Sequence, residues 1–422
     1  MREISLRQNG RFFFGWLVLL YSFVLMAIGY AGILSVSSIF VVPITEELGL
    51  SRSSLLLYTT VMMVSSVLFA KVYSWWLCRG SRMMMLIIIG NAVAVCLAYM
   101  GFSMATQLWQ FYLCAILLGS GFSGLNTLPV SILITNWFGG SIKGTVMAVA
   151  FTGSGVGGMI LAPVLNAVME QSGWRQSYVV LGILFVAVLV PLTLLFARSL
   201  PEKLGFYKMG MTEGEVQLGS DMGISYAQAK KQPYFWMSMA AFFVMVLGSG
   251  ALISNAAAYY VECGFSLSSA AAFTGYMSGM LIIGKLACGY LCDKKGVQVG
   301  MAVCFLLFVA CFLQLFLLWW FPILIFGIVA TYGFGCGAIT TIPPLWVTGL
   351  FGERDYGTIL GALTMAINLS CAIAGLLAGW MYDVTGSYSA YWGISAVGSM
   401  VATVLLLLAY RKRKSMGADA VT

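Results

Sequence analysis

The chain has 422 residues, of which 61% are hydrophobic and only 9% charged, and its mean hydropathy is +0.95. Soluble globular chains carry about a quarter charged residues, so a water-soluble fold is excluded. The net charge of +8 raises nucleic acid as a partner, and the placement of that charge removes it, as shown below.

A bilayer crossing needs about 20 apolar residues. Twelve runs meet that length: 14–42, 54–78, 83–105, 109–137, 144–169, 175–198, 233–261, 268–292, 298–319, 321–350, 357–381 and 389–410. The first run is too long for the apolar part of a signal peptide and has no small-residue cleavage site behind it, so it is read as a retained span. The connections are short except at 200–232, where Glu202, Lys203, Lys208, Glu213, Glu215, Asp221, Lys230 and Lys231 gather. That segment predicts an N-terminal six-helix bundle at 1–199, a cytoplasmic linker at 200–232, and a C-terminal bundle with a basic tail at 233–422.

A repeat supports the division. The stretch Gly124–Thr145 recurs from Gly337 to Thr358, with Gly124/Gly337, Thr127/Thr340, Phe138/Phe351, Gly139/Gly352, Gly144/Gly357 and Thr145/Thr358 matched. Each copy reads as a Gly-rich apolar helix, a short polar turn and another apolar helix. Parallel repeats of this kind in a membrane place a cavity at the midplane between the halves. The expected fold is therefore all-α and integral to the membrane, with twelve transmembrane helices in two pseudo-symmetric six-helix bundles. A transporter is the leading reading of its function.

With twelve spans and a cytoplasmic N-terminus, 18 of the 22 Lys and Arg fall on the cytoplasmic side, from Arg2 to Lys414. The outer loops keep Arg52 and Arg175, while Lys71 and Lys285 lie inside spans. This is the positive-inside bias, which predicts a multi-pass protein of the inner (plasma) membrane with both termini cytoplasmic. The excess basicity then reports orientation and attraction to membrane lipid headgroups, with no nucleic acid implied.

The ten cysteines fall nearly all within spans and form no CxxC pair, as packing residues do. Histidine is absent, which removes the usual zinc ligand and proton relay. No G-x-S-x-G, Walker loop or metal-ligand spacing occurs. The expectation is no enzyme, no metal and no cofactor, with transport secondary rather than driven by ATP.

Between spans eight and nine runs Gly284-Lys-Leu-Ala-Cys-Gly289-Tyr-Leu-Cys-Asp293-Lys-Lys-Gly296, and span five holds Gly153-Ser-Gly155-Val-Gly157-Gly158 before Pro163. These resemble the loop signature and the Gly/Pro helix motif of the major facilitator superfamily. Within it the chain is similar to oxalate:formate antiporters and the related monocarboxylate transporters. The likeness rests on Gly15-Trp16, on Ser38-Ile-Phe40-Val-Val-Pro43 running into Glu46-Glu47, and on Asn136-Trp137-Phe138, Gly173-Trp174-Arg175 and Tyr382-Asp383-Val-Thr-Gly386-Ser-Tyr388. The resemblance implies gating contacts on the cytoplasmic side by Asp293 and Lys294, with Arg79 and Arg82 in the equivalent first-half loop, which lacks the Asp.

Lys285 is the foremost candidate for substrate binding. A lysine at a helix centre costs about 2.5–3.5 kcal/mol to insert, so it faces a cavity or a partner, or else snorkels along its stem to the interface. The resemblance implies that a cation at this place in span eight meets the substrate carboxylate. Two departures matter: the acid found one turn earlier in monocarboxylate transporters is Leu281 here, and span eleven reads Leu363-Thr-Met-Ala-Ile-Asn368 with no second cation. One cation suits one carboxylate. Lys71, beside Trp75 and Trp76, reads as an interfacial anchor, and Tyr276 falls on the face opposite Lys285. Polar groups in cavity-lining spans complete the set: Tyr30, Asn126, Asn255 with Tyr259, Tyr332 with Thr340, and Thr364 with Asn368. Each could equally serve an interhelical hydrogen bond.

The expected function is transport of a small organic anion, a monocarboxylate, by alternating access. Exchange or uniport is favoured over side-chain-mediated proton symport, because no acid or histidine lies inside a span. An exporter of neutral or amphiphilic compounds and a proton-coupled monocarboxylate symporter stand as alternatives. A monomer is the expected state.

Overall fold

In lipid every backbone amide must find its partner inside its own element, so apolar runs of this length form helices. The computed structural model describes residues 7–8, 11–211 and 223–419; Arg2, Glu213, Glu215 and Asp221 lie outside them. A short strand pair, β1 (Arg7–Gln8) and β2 (Arg11–Phe12), precedes the first span. The helices of the N-terminal half are α1 (Gly15–Tyr30), α2 (Val41–Leu48), α3 (Arg52–Trp76), α4 (Ser81–Met104), α5 (Leu108–Gly124), α6 (Thr127–Trp137), α7 (Lys143–Leu184) and α8 (Val190–Phe196). Within the linker lies α9 (Tyr226–Ala229), and after it come α10 (Pro233–Glu262), α11 (Leu267–Lys295), α12 (Val297–Leu317), α13 (Leu324–Phe351), α14 (Tyr356–Thr385) and α15 (Ser389–Asp419).

Eleven helical runs among the described residues are long and apolar enough to cross a membrane. The expected twelve become eleven because spans five and six join in one run, Lys143–Phe196, of 54 residues. The loop expected between 169 and 175 shrinks to a kink at Gly173, with φ 80° and ψ 168°. Only glycine adopts such a φ without strain, and the helix resumes at Trp174. Span one ends later than expected. It passes from α1 through a π-helical segment, Ala31–Ser35, and a 3₁₀ turn, Ser37–Phe40, into α2.

The chain folds as two compact units: Met1–Ser220 with Leu360–Met365, and Asp221–Ile359 with Ala366–Thr422. In the first, the π segment of span one packs on a second π segment, Phe185–Leu189. A Cβ on Gly32 would lie 2.7 Å from the Phe185 ring, and the Tyr99 hydroxyl donates to the Gly32 carbonyl at 2.6 Å. A π turn frees carbonyls from the regular ladder, and Tyr99 satisfies this one. Phe40 stacks on Tyr178 at 3.9 Å between ring centroids, and Tyr99 and Phe102 crowd the same ring. At one end Glu47 pairs with Arg175 and accepts from the Trp174 indole at 2.5 Å. Two stretches that carry the family resemblance therefore clasp each other.

Both copies of the repeat carry the expected turn between helices, at 138–142 and 352–355, with one addition that no local pattern announces. A linker segment docks on each repeat turn. Met209 donates to Trp137 O at 3.0 Å and accepts from Gly139 N at 2.9 Å, while Ile224 donates to Phe351 O at 3.0 Å and Tyr226 N to the Asp355 carboxylate at 2.7 Å. In the second unit the basic tail remains helical, and Arg413 donates to Leu350 O at 3.0 Å, satisfying a carbonyl in the last turn of α13.

Candidate functional site

Lys285 owes its position to glycines. Helices α11 and α13 touch backbone to backbone: a Cβ on Gly284 would strike the Gly333 carbonyl, and one on Gly337 would lie 2.8 Å from Lys285 N and 3.3 Å from its Cα. Small residues permit this approach in membranes. The result is a lysine only 2% exposed, ten residues (roughly 15 Å) before the end of α11 at Lys295. Snorkelling needs a stem exposed along the membrane face, and Lys285 has none. Tyr276, nine residues earlier, is 63% exposed, as half a turn of helical phase requires. Lys71 is exposed beside Trp75 and Trp76, the pattern of an interfacial anchor.

The structure adds Cys336, which the sequence reading counts only among packing cysteines. Its thiol is buried and interacts electrostatically with Lys285 and with Tyr332. Tyr332 and Cys336 are four residues apart on α13 and so share a face. The signal was present in Gly333-Phe-Gly335-Cys336-Gly337, where three glycines surround one thiol in a span. Lys285, Cys336 and Tyr332 thus form one cluster of amine, thiol and phenol within the second unit. An ammonium and a hydroxyl together can hold a carboxylate by charge-assisted hydrogen bonds.

The other candidates are placed differently. Thr340 Oγ1 donates to Gly337 O at 3.0 Å and Thr364 Oγ1 to Leu360 O at 2.9 Å, both along their own helices. Asn368 is buried in the second unit, whereas Thr364 lies in the segment grouped with the first. Asn255 donates to Ala251 O at 3.0 Å and accepts from Tyr388 at 3.4 Å. Tyr259 is fully buried, its hydroxyl 2.7 Å from Leu315 O and 3.3 Å from Ser389 Oγ. These bonds tie α10 to α12 and α15. Tyr259→Phe is accordingly expected to lower thermal stability by about 1 kcal/mol, the scale of interhelical bonds in membranes, and to leave substrate affinity unchanged. A shift of the half-saturation concentration with unchanged melting would contradict this assignment.

In the first unit, span four is not continuous. It breaks at Leu125 and Asn126, and α6 starts with Asn126 as its N-cap residue. Asn126 is 4% exposed, and its Oδ1 accepts from Thr127 Oγ1 at 3.3 Å. The cause is legible afterwards: Pro129 has no N–H for the Leu125 carbonyl, which instead approaches Gly29, where a Cβ would stand 2.5 Å away. Tyr30 closes α1 just before the π segment, its ring 6.0 Å from Phe122. Two of the residues expected to gate lie over aromatic rings of their own helical stretch. Arg79 lies over the Trp75 ring at 3.3 Å, Arg82 is exposed, Lys294 lies over Tyr290 at 4.8 Å, and Asp293 is half-buried. No group of three or more metal-ligating side chains occurs among the described residues.

Comparison with known proteins places this architecture. The sequence signature of the Major Facilitator Superfamily matches residues 17–374. Monocarboxylate transporter 12 of Mus musculus is 28% identical over 329 residues, covering 72% of this chain and 67% of that one. The MFS-type transporter YcxA of Bacillus subtilis (strain 168) is 24% identical, covering 92% of this chain and 94% of that one. Among solved structures, the proton:xylose symporter XylE superposes with a TM-score of 0.67 at 15% identity, covering 93% of this chain and 95% of that one. The first relative carries the monocarboxylate name, and the superposition carries the fold. A helical chain of membrane spans, matched along most of its length by one family signature, belongs to the major facilitator superfamily: it is a membrane transporter and not an enzyme.

Proposed function

We propose that the protein carries a small organic anion, a monocarboxylate, by alternating access, as an exchanger or uniporter. The observation that carries this reading is Lys285, buried in the middle of a span and backed by the glycines of α13. A cation kept at that cost is retained for a ligand of opposite charge. Cys336 stands beside it and Tyr332 beside Cys336, and a phenol hydroxyl would complete the coordination of one carboxylate. The similarity to Monocarboxylate transporter 12 supports the same substrate class. Proton symport through side chains is disfavoured because Leu281 stands where an acid would be needed. The positive-inside distribution supports both termini lying in the cytoplasm, and the proposal takes the carrier as a plasma-membrane monomer.

The test is counterflow in proteoliposomes with a panel of mono- and dicarboxylates, with and without a pH gradient. Monocarboxylates should accelerate exchange, dicarboxylates should not, and an imposed gradient should leave exchange unchanged. Counterflow by dicarboxylates alone, or by neutral compounds alone, would overturn the proposal.

A further inference from the structure

A groove of about 290 Å³ runs between α3 and α4 in the first unit, lined by Val72, Tyr73, Trp76, Met83, Leu86 and Ile87. Val72, Trp76 and Leu86 are exposed, so the groove opens on the outside of the helices, where lipid lies. Its floor is fixed: the Tyr73 hydroxyl is held 3.2 Å from Asn91 Oδ1 and 2.7 Å from Ser120 Oγ, and Asn91 donates to Ile87 O at 2.8 Å. Those bonds hold the Tyr73 ring and Ile87 in place and make the groove a preformed shape.

One end of the groove is basic. Trp76 leads through Leu77 and Cys78 to Arg79, and Gly80, at φ 119°, turns the chain so that Arg82 comes directly before Met83. Arg82 is exposed and the Arg79 guanidinium carbon lies over the exposed Trp75 ring, 3.3 Å from its centroid. Exposed Lys71 lies one turn before Trp75 on the same helix. An apolar trough whose end residues, Trp76 and Met83, are followed and preceded within three positions by Arg79 and Arg82 matches a molecule with a hydrocarbon tail and an anionic head. The aqueous anions that arginine also binds have no use for the trough.

We propose that this groove binds one anionic phospholipid, with an acyl chain along Tyr73, Trp76 and Met83 and its phosphate held by Arg79 and Arg82. Arginine grips phosphate through paired N–H donors, and each basic residue near a membrane surface favours anionic lipid. The inference does not depend on the transported substrate.

Native mass spectrometry of the detergent-purified full chain tests it, by titration with phosphatidylglycerol and with phosphatidylcholine of the same acyl chains. Phosphatidylglycerol should bind about tenfold or more tightly. Arg79→Gln with Arg82→Gln should remove that preference, Arg79→Lys with Arg82→Lys should keep part of it, and Leu86→Trp should weaken both lipids by filling the groove. Arg411→Gln with Lys412→Gln, at the other basic cluster, should leave the preference intact. Equal affinity for the two lipids, a preference that survives the paired glutamine substitution, or displacement of the lipid by inorganic phosphate alone would overturn the proposal.

Discussion

Lys285→Ala is expected to reduce carboxylate counterflow roughly 30-fold or more while the protein remains fully folded. Truncating one partner of a buried charge pair costs about 2–5 kcal/mol, and each 1.4 kcal/mol is a decade in binding. Stability should move the other way. The lysine itself costs about 2.5–3.5 kcal/mol at the centre of a span, so its removal should hold or raise the melting temperature. A purely structural lysine would show the opposite signature, with stability and activity falling together. Lys285→Arg keeps the charge but not the shape of the ammonium, and should retain part of the activity. Wild-type counterflow by Lys285→Ala in matched liposomes would remove the anion proposal.

The second large effect is at Gly284. Gly284→Val should lower stability by about 3 kcal/mol or more and greatly reduce the yield of monodisperse protein, because the new side chain meets the Gly333 carbonyl. A backbone atom cannot swing aside as a side chain can, so the two helices must separate and carry Lys285 away from Cys336. Gly279→Ala on the same helix is the control: nothing lies within 4 Å of the added Cβ, so it should be neutral or slightly stabilising. Thermal melts and size-exclusion profiles of both variants check the contrast. If Gly284→Val behaves like wild type, the close crossing of α11 and α13 is not what positions the lysine.

These two positions show what was readable from local pattern. Lys285 stands out because a charge among apolar residues is visible in one dimension, and Tyr276 could be set on the opposite face by counting residues. The partners of Lys285 could not be read this way. Gly333, Cys336 and Gly337 lie about fifty residues away, and nothing nearby in the sequence links them to it. Tyr259 illustrates the converse. Its type and spacing suited a substrate contact, yet its hydroxyl is occupied by Leu315 O and Ser389, groups 56 and 130 residues distant. The break at Asn126 was half visible, because Pro129 sits where a new helix can spare a donor, but a proline in a span can also kink a continuous helix.

By itself the sequence determined the membrane setting, the order of the apolar segments, the repeat and the presence of a cation within a span. All of these follow from hydropathy summed along short stretches, where lipid leaves the backbone no alternative to a helix. The tertiary structure alone decided which helices touch, that Gly173 replaces a loop, that linker segments seal both repeat turns, and which polar groups Lys285 meets. Helix contacts in lipid are won by close packing of small side chains against distant ones, and that energy depends on pairs of surfaces rather than on any one stretch of chain.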